Sequence, residues 1–221
     1  YDEICPSCGE STQEDIPTEV YWCSHCNIPI IKEAVDIDKT CPLCGREVKY
    51  LCSDLRPVFP EERLLIEILL DKPLLWLDKS VWANNNRYYI DGKAKLISNA
   101  VFANADIEKI QNQLGQFRSR NNYEYFNEII ERFNKANQGR YCYIKDEAFT
   151  FVKETVGKFN SEDIVISFSG GKDSTASADV VVRALGDPSL VHIFGNTTLE
   201  FPLTLEYAKK KRKNNPMSIF K

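Results

Sequence analysis

A short loop rich in glycine and hydroxyl side chains contains the residue types that hold a phosphate group. It reads Ser-Gly-Gly-Lys-Asp-Ser-Thr over residues 169–175 and follows an apolar run. Gly170 and Gly171 allow the backbone to curve tightly and to approach an anion. Amides at the start of the following helix can donate to phosphate oxygens, and Lys172 adds a positive charge. We therefore predict a phosphate-binding loop between a strand and a helix.

The elements around this loop predict a β-α-β unit. The strand at 164–168 is apolar almost throughout, which predicts burial on both faces. A helical segment then runs to Gly186, and residues 190–194 supply a second strand. The segment 195–202 follows that strand, where such folds place ligand contacts. The loop is not a Walker A loop, because Ile166 stands in place of its first glycine.

A second set of residues, the cysteines, has the spacing of metal ligands. Seven of the eight cysteines lie within residues 5–52, and six of them form three Cys-x-x-Cys pairs. Two such pairs can bind one Zn²⁺ tetrahedrally and so close a small domain. A disulfide framework is the alternative, but no other feature indicates secretion. Four thiolates leave no position open for water, so the predicted role of the zinc is structural.

Spacing alone does not decide which cysteine pairs share an ion, because both intervening gaps contain 14 residues. The apolar segment 28–31 supplies the strand that a zinc ribbon needs between its pairs. The four ligands we favour are therefore Cys23, Cys26, Cys41 and Cys44. Cys5 and Cys8 would belong to a second site with ligands upstream, or would bind no metal. Cys52 and Cys142 are expected to be buried small side chains.

Composition and charge set the broad class. With 221 residues and 43% hydrophobic composition, the chain is long enough for more than one compact unit. No run approaches the ~18 apolar residues of a membrane span and no leader opens the chain, so we expect a cytoplasmic protein. Acidic residues outnumber basic ones by 11 to 5 within residues 1–60, which disfavours polyanion binding by that segment. The only methionine is Met217, so we expect a fragment.

Local patterns divide the chain into three regions. We predict a zinc ribbon region at 1–60, a small β-rich domain at 61–120, and a helical lead-in with the N-terminal part of a nucleotide-binding domain at 121–221. A proline-containing linker at 54–60 marks the first boundary, and an Asp-Gly hairpin signal lies at 88–96. A doubly wound domain needs about five parallel strands, whereas residues 161–221 are expected to supply two.

Aromatic residues in the β-rich region allow two interpretations. They could stack on nucleic acid bases, with basic residues near the phosphates. The aromatic residues are Trp76, Trp82, Tyr88 and Tyr89, and the basic ones are Arg87, Lys93 and Lys95. We favour the other interpretation, a β core with a solvated basic edge, because charges within residues 61–120 nearly cancel.

These motifs together resemble a known family. Residues 169–175 resemble the PP-loop of ATP pyrophosphatases, whose pattern is Ser-Gly-Gly-x-Asp-Ser. The segment 195–202 is similar to the second-strand loop of the phosphoadenosine phosphosulfate (PAPS) reductase branch, with Asn196 in place of an Asp. The cysteine pairs and Asp-Leu-Arg-Pro at 54–57 are similar to zinc-ribbon members of that branch, which also carry a PUA-like domain. The resemblance spans residues 22–210.

The resemblance implies an α/β fold with three parts. These would be an N-terminal zinc ribbon, a small β-rich, PUA-like domain, and the truncated start of a doubly wound parallel PP-loop domain of the adenine nucleotide alpha hydrolase type. The implied nucleotide-binding residues are Ser169, Gly170, Gly171, Lys172, Asp173, Ser174, Thr175, Asn196 and Thr197. Lys172 would be catalytic by offsetting phosphate charge, and Asp173 would cap the helix or order the loop.

Two functions of different classes follow. The first is an enzyme that attacks the α-phosphorus of ATP, with Mg²⁺, or reduces PAPS, with a sulfur carrier as a further partner. The second is a nucleic-acid-binding adaptor in which the PP-loop is vestigial. True PAPS reductases usually carry a degenerate loop, so the intact loop favours an enzyme that uses ATP.

Overall fold

In a computed structural model of the chain, the described residues are 17–213 and the backbone of 217–220. The strands are β1 (Thr18–Cys23), β2 (Ile28–Glu33), β3 (Lys49–Cys52), β4 (Arg56–Pro57), β5 (Val81–Asn84), β6 (Arg87–Ile90), β7 (Lys93–Leu96), β8 (Val165–Ser167), β9 (Val191–Gly195) and β10 (Met217–Phe220). The helices are α1 (Pro60–Leu69), α2 (Asn99–Ala103), α3 (Ile107–Phe117), α4 (Glu124–Ala136), α5 (Gln138–Val156), α6 (Lys172–Leu185) and α7 (Pro202–Arg212). The chain is thus mixed α/β, and it divides into two compact units, Tyr1–Arg140 and Tyr141–Lys221.

The first unit contains two small antiparallel sheets. One has the order β2-β1-β3 and the other the order β4-β5-β6-β7. The Asp-Gly hairpin is present between β6 and β7. Asp91 and Gly92 both have positive φ, at 48° and 76°. The favoured two-residue hairpin turn needs positive φ at both of its central residues. Asp-Gly readily adopts this conformation, which is why the dipeptide predicted the hairpin.

Helix α4 belongs to the first unit, although the sequence grouped residues 121–140 with the nucleotide-binding region. Its Ile129 and Ala136 are buried in the same hydrophobic cluster as the first sheet. Just past the helix, the buried Asn137 side chain accepts from the Ile31 backbone at 2.7 Å and donates to the Pro29 carbonyl at 3.1 Å. These bonds fix the end of α4 on β2, so the helix covers the first sheet.

A buried ion pair supports the second sheet of the first unit. Glu67 on α1 has no exposed surface, and its carboxylate accepts from the backbone of Leu74 at 2.8 Å and of Trp76 at 2.6 Å. Arg63, also buried, lies 3.8 Å from Glu67 and donates to Asn121 at 2.6 Å. These contacts order the connection between α1 and β5, because a carboxylate that bridges two amides fixes the backbone between them.

The second unit contains a parallel sheet with the order β10-β9-β8. Its core cluster joins strand residues such as Ile166 and Phe194 to Ala178 on α6 and Ala208 on α7. Helix α6 ends at Gly186, whose φ of 65° is left-handed, as is common at helix ends. His192 is buried within β9, and its Nδ1 lies 3.0 Å from the Leu190 carbonyl oxygen, so it is a packed side chain.

Two expectations about this sheet were wrong. Residues 161–221 supply three strands rather than two, since β10 pairs with β9. The strand in 164–168 is not buried on both faces, because Val165 and Ser167 are exposed while Ile166 between them is buried. The core cluster of this unit explains the alternation: α6 and α7 both pack on the face that carries Ile166 and Phe168.

Candidate functional site

Four cysteines of the first unit converge on one point. Their sulfur atoms all lie within 4.8 Å of one another, and the residues are Cys23, Cys26, Cys41 and Cys44. The Cys23 and Cys44 sulfurs are 3.6 Å apart, and those of Cys26 and Cys41 are 3.9 Å apart. A tetrahedron with Zn–S bonds of about 2.3 Å has sulfur–sulfur edges of roughly 3.8 Å. The cluster could therefore hold a metal ion such as zinc, and these are the four ligands that the sequence favoured.

Each cysteine pair is part of a tight turn. The Cys26 amide points at the Cys23 sulfur at 3.4 Å, and the Gly45 amide donates to the Cys41 carbonyl at 2.8 Å. Burial raises the pKa of the Cys23 and Cys26 thiols. The Arg46 amide instead lowers the pKa of Cys44 to about 7. Thiolates this close together repel, so a bound cation would favour their joint deprotonation.

The remaining cysteines and His25 lie apart from this cluster. Cys52 is buried at the end of β3, and its thiol is 3.2 Å from the Asp54 carbonyl. Cys142 lies on α5 and is half-buried, which is less than the sequence suggested. His25 is exposed, and its Nδ1 is 2.8 Å from the Arg46 guanidinium. Cys5 and Cys8 lie outside the described residues.

The second candidate site is the segment 169–175, which follows β8 and lies at the start of a helix as predicted; its residues 172–175 form the first turn of α6. Gly170 has a φ of 80°, and a Cβ at this position would lie 3.1 Å from Thr204 Cγ2. Both facts require glycine, because side chains are strained at such φ values and the neighbouring helix leaves little room. Gly171 is less constrained, since its Cβ would meet Ser169 Oγ at an ordinary 3.6 Å.

Hydroxyl groups close the loop on itself. The Ser169 and Ser174 hydroxyls are 3.0 Å apart, and the Thr175 hydroxyl donates to the Gly171 carbonyl at 2.8 Å. Helix α7 also contributes, because the Tyr207 hydroxyl lies 3.4 Å from Thr175 Oγ1. The sequence reasoning missed this role of α7. The Phe-Pro step before it, with Pro202 at the first helical position, was the signal for a helix at this sheet edge.

The start of α6 has free hydrogen-bonding capacity. Gly171 occupies the capping position, and within the described residues no side chain caps this helix start. Asp173 does not act as the predicted cap: its side chain is 90% exposed and lies 3.8 Å from the Lys172 amine, which is itself 91% exposed. The Asp173 carboxylate offsets the formal charge of Lys172, so the uncapped amides at the helix start are what suits this position to an anion.

Asn196 and Thr197 follow β9 at the same edge of the sheet, because β8 and β9 are parallel neighbours. Their side chains order their own turn. Asn196 accepts from the Thr198 amide at 2.9 Å, and the Thr197 hydroxyl donates to Glu200 at 3.0 Å. The structure therefore brings the two segments to one sheet edge, but these two side chains are engaged locally.

The proposed aromatic stacking residues lie in the interior. Each is less than a tenth exposed, namely Trp76, Trp82, Tyr88 and Tyr89. Trp82 Nε1 donates to Ser80 at 2.9 Å, and the Tyr88 hydroxyl donates to Glu62 at 2.9 Å. Lys95 lies over the Trp76 ring at 5.6 Å. These residues form the core, as the favoured interpretation predicted, and cannot stack on a base.

Comparisons with known proteins add one relative. An uncharacterized protein of Methanocaldococcus jannaschii is 29% identical over 99 residues, which is 45% of this chain and 20% of that protein. The match thus spans about a fifth of the relative's length. No known family model matches the chain. No solved structure matches it.

Within residues 17–213, no helix has both the length and the apolar character needed to cross a bilayer.

Proposed function

We propose that the loop at 169–175 binds the phosphates of an adenine nucleotide and that the chain is a member of the PP-loop superfamily, in its PAPS reductase-like branch. The observation that carries this proposal is Gly170, left-handed and packed against Thr204 between a parallel strand and an uncapped helix start. That geometry brings the backbone amides of the loop to the carboxyl edge of the sheet, where α/β folds bind ligands.

The loop residues would divide the work of holding the nucleotide. The first amides of α6 would donate to phosphate oxygens, and the Lys172 amine, extended into solvent, would offset their negative charge. Ser169 and Ser174 can exchange their mutual 3.0 Å bond for bonds to phosphate at little cost. Mg²⁺ would accompany ATP as a further counter-charge.

The chemistry we propose takes place at the α-phosphorus of the nucleotide. With ATP, a nucleophile would attack that phosphorus and pyrophosphate would leave, giving AMP or an adenylylated acceptor. With PAPS, the alternative in the same family, the bond between the sulfate group and the 5′-phosphate would break, sulfite and adenosine 3′,5′-bisphosphate would be released, and two thiols of a partner would be oxidised to a disulfide. The intact glycine pair and Lys172 favour ATP. The four cysteines would hold Zn²⁺ in a structural role, because four sulfur ligands leave no open coordination position.

Product analysis tests this proposal. The protein is incubated with Mg-ATP and, separately, with PAPS and a dithiol reductant, and AMP, ADP, pyrophosphate and sulfite are quantified. We expect AMP and pyrophosphate from ATP, and a loss of at least tenfold in Lys172→Ala. The matched control is Lys210→Ala, an exposed lysine of α7, which should retain activity.

Other outcomes separate the alternatives. Sulfite from PAPS would establish the reductase branch instead. ADP and phosphate as the only products would contradict chemistry at the α-phosphorus. Should neither nucleotide bind, as judged by equilibrium dialysis with wild type and Lys172→Ala alike, the nucleotide proposal fails and the adaptor function with a vestigial loop takes its place.

A further inference from the structure

A groove in the first unit has no part in the sites described so far. It has a volume of about 740 Å³ and lies between the end of β3 and the β5–β6 hairpin. Tyr50 stands on one wall, and Asn84, Asn85 and Arg87 stand on the other. A volume of this size falls within the range of small-molecule sites, which is about 300–1,000 Å³.

Strand pairing explains how the groove arises. Residues paired across an antiparallel ladder share a face, so Trp82 and Tyr89 share one, and Arg87 lies on the same face two residues from Tyr89. Trp82 and Tyr89 are buried in the hydrophobic cluster of the first sheet. Beyond them the same face continues to Arg87 and Leu96, both exposed. The groove is therefore the open end of the core between the two sheets, with an apolar floor and a polar rim.

One aromatic residue that lines this groove is largely exposed and contacts a neighbouring ring. Tyr50 is 57% exposed, so much of its side chain is open to solvent. Its ring contacts Tyr21 nearly at right angles, with centroids 5.8 Å apart. This contact restricts part of the ring's freedom before a ligand stacks on it, which reduces the side-chain entropy that binding costs.

The rim carries hydrogen-bonding groups of both kinds and one cation. The Asn85 side chain donates to Asn84 at 3.0 Å and retains its own amide oxygen for a ligand. Arg87 adds an exposed guanidinium. Among the described residues that line the groove, none carries a carboxylate. Although residues 1–60 are acidic overall, the local surroundings thus favour an anionic ligand with a flat, apolar face.

We propose that this groove binds single-stranded nucleic acid, with one base stacked on Tyr50 and the adjacent phosphate at Arg87. The amides of Asn84 and Asn85 would bond the edge of the same base. A duplex is excluded by the chemistry, because its bases are already stacked and present no face to Tyr50. Three successive asparagines before an arginine, at 84–87, were the sequence signal for this rim.

Fluorescence anisotropy with two labelled 12-nucleotide strands, one RNA and one DNA of the same mixed sequence, tests the proposal on the whole chain. We expect saturable binding of one or both. Tyr50→Ala should weaken it about tenfold or more, whereas Tyr50→Phe should retain it, because stacking on an aromatic ring carries the affinity. Arg87→Gln should reduce the slope of log K against log salt concentration by about 1.

Matched controls guard against general effects. Tyr143→Ala removes a ring of similar exposure, 59%, from the second unit. Arg118→Gln removes an exposed arginine outside the groove. Both should leave the affinity within twofold. Lys172→Ala should also leave the affinity for the strands unchanged. The test of the groove is then independent of the test of nucleotide binding at the loop. Thermal melting verifies that each variant is folded.

Three results would overturn the proposal. The first is a dissociation constant above ~10⁻⁴ M, the weak end of the range for non-specific complexes, for both the RNA and the DNA strand. Equal losses in the controls and in Tyr50→Ala would remove the role of the groove. Equally tight binding of the matching duplex would show that an unstacked strand is not what the site recognises.

Discussion

The cysteine cluster and the phosphate loop show two different ways to build a site. Cys23 and Cys41 are each 1% exposed, and the four sulfurs already lie at the spacing of a tetrahedron. The loop is the opposite case, because Lys172 and Asp173 are about nine-tenths exposed. A closed site contributes to the stability of its unit, whereas an open one retains donors for a ligand. We therefore expect metal binding to govern the folding of the first unit, whereas nucleotide binding should not govern the folding of the second.

Metal removal should give the largest effect. Structural zinc contributes apparent binding free energies of about 10–16 kcal/mol to small domains. We expect a strong chelator, or Cys41→Ser, to abolish cooperative unfolding of the first unit in calorimetry and to leave the transition of the second. Cys52→Ala is the control and should retain one bound metal per chain by elemental analysis. Retention of both transitions after complete metal removal would show that the cysteine cluster does not stabilise the first unit.

The next largest effect should come from the buried carboxylate of Glu67. Glu67→Leu leaves Arg63 buried without its counter-charge and two amides without an acceptor. Breaking a buried pair from one side costs about 3–5 kcal/mol. Urea unfolding of the metal-loaded protein, followed by tryptophan fluorescence, measures this loss. Glu108→Ala, an exposed carboxylate on α3, should change stability by less than about 0.5 kcal/mol.

Two neighbouring glycines of the loop should differ in their tolerance of a side chain. Gly170→Ala must hold an alanine at a φ of 80°, against Thr204, and should destabilise the second unit by about 1–2 kcal/mol. Gly171→Ala meets only an ordinary contact and should cost less. Calorimetry should show the first unit unchanged in both. Equal costs for the two variants would contradict the geometry of the loop.

The smallest effect concerns a partly exposed ion pair. Arg56 makes two bonds of 2.7 Å to Glu62. Burial acts to raise the pKa of Glu62, but the bonds from Arg56 and Tyr88 outweigh it and hold the pKa below its usual value. A depressed carboxylate pKa stabilises the fold above the unfolded-state pKa and loses that contribution as pH falls through the folded-state pKa.

Glu62→Gln should therefore cost about 1 kcal/mol or less at pH 7, since half-exposed pairs contribute little. The cost should shrink as the pH falls toward the depressed pKa of the wild-type carboxylate, because the carboxylate then begins to take up a proton. Denaturant midpoints at pH 7 and at the lowest pH at which the metal stays bound, verified by elemental analysis, measure this change. A cost that stays constant between them would show that the charge of Glu62 is not what stabilises the fold.

Local signals predicted much of this structure. The Cys-x-x-Cys spacing indicated the metal ligands, and Asp91-Gly92 indicated a hairpin because its conformation is encoded in two residues. Spacing could not choose among three cysteine pairs, and the choice depended on the strand that became β2. Signals of this kind act over a few residues, so they locate turns and pairs well.

Contacts between residues far apart in the sequence could not be predicted from the sequence. Nothing near Asn137 in the sequence indicates that its side chain bonds the backbone of Pro29 and Ile31. The helical stripe of α4 showed an apolar face but not the sheet that it covers. The groove beside Tyr50 likewise depends on two strands that meet only in the folded chain. Such features depend on which helices and strands pack against one another in the folded chain. Local sequence patterns do not specify this packing.

The contact between Trp22 and Gly92 limits how the first unit could be rearranged in evolution. A Cβ on Gly92 would come within 2.4 Å of Trp22 Nε1. Trp22 directly precedes the first cysteine of its pair, and Asn27, directly after that pair, donates to Asp91 at 2.8 Å. The two sheets are thus joined on both sides of the metal turn. The two sheets would therefore have to be inherited together. Recombination within the proline-containing segment between them would yield two halves, neither of which could fold as an independent module.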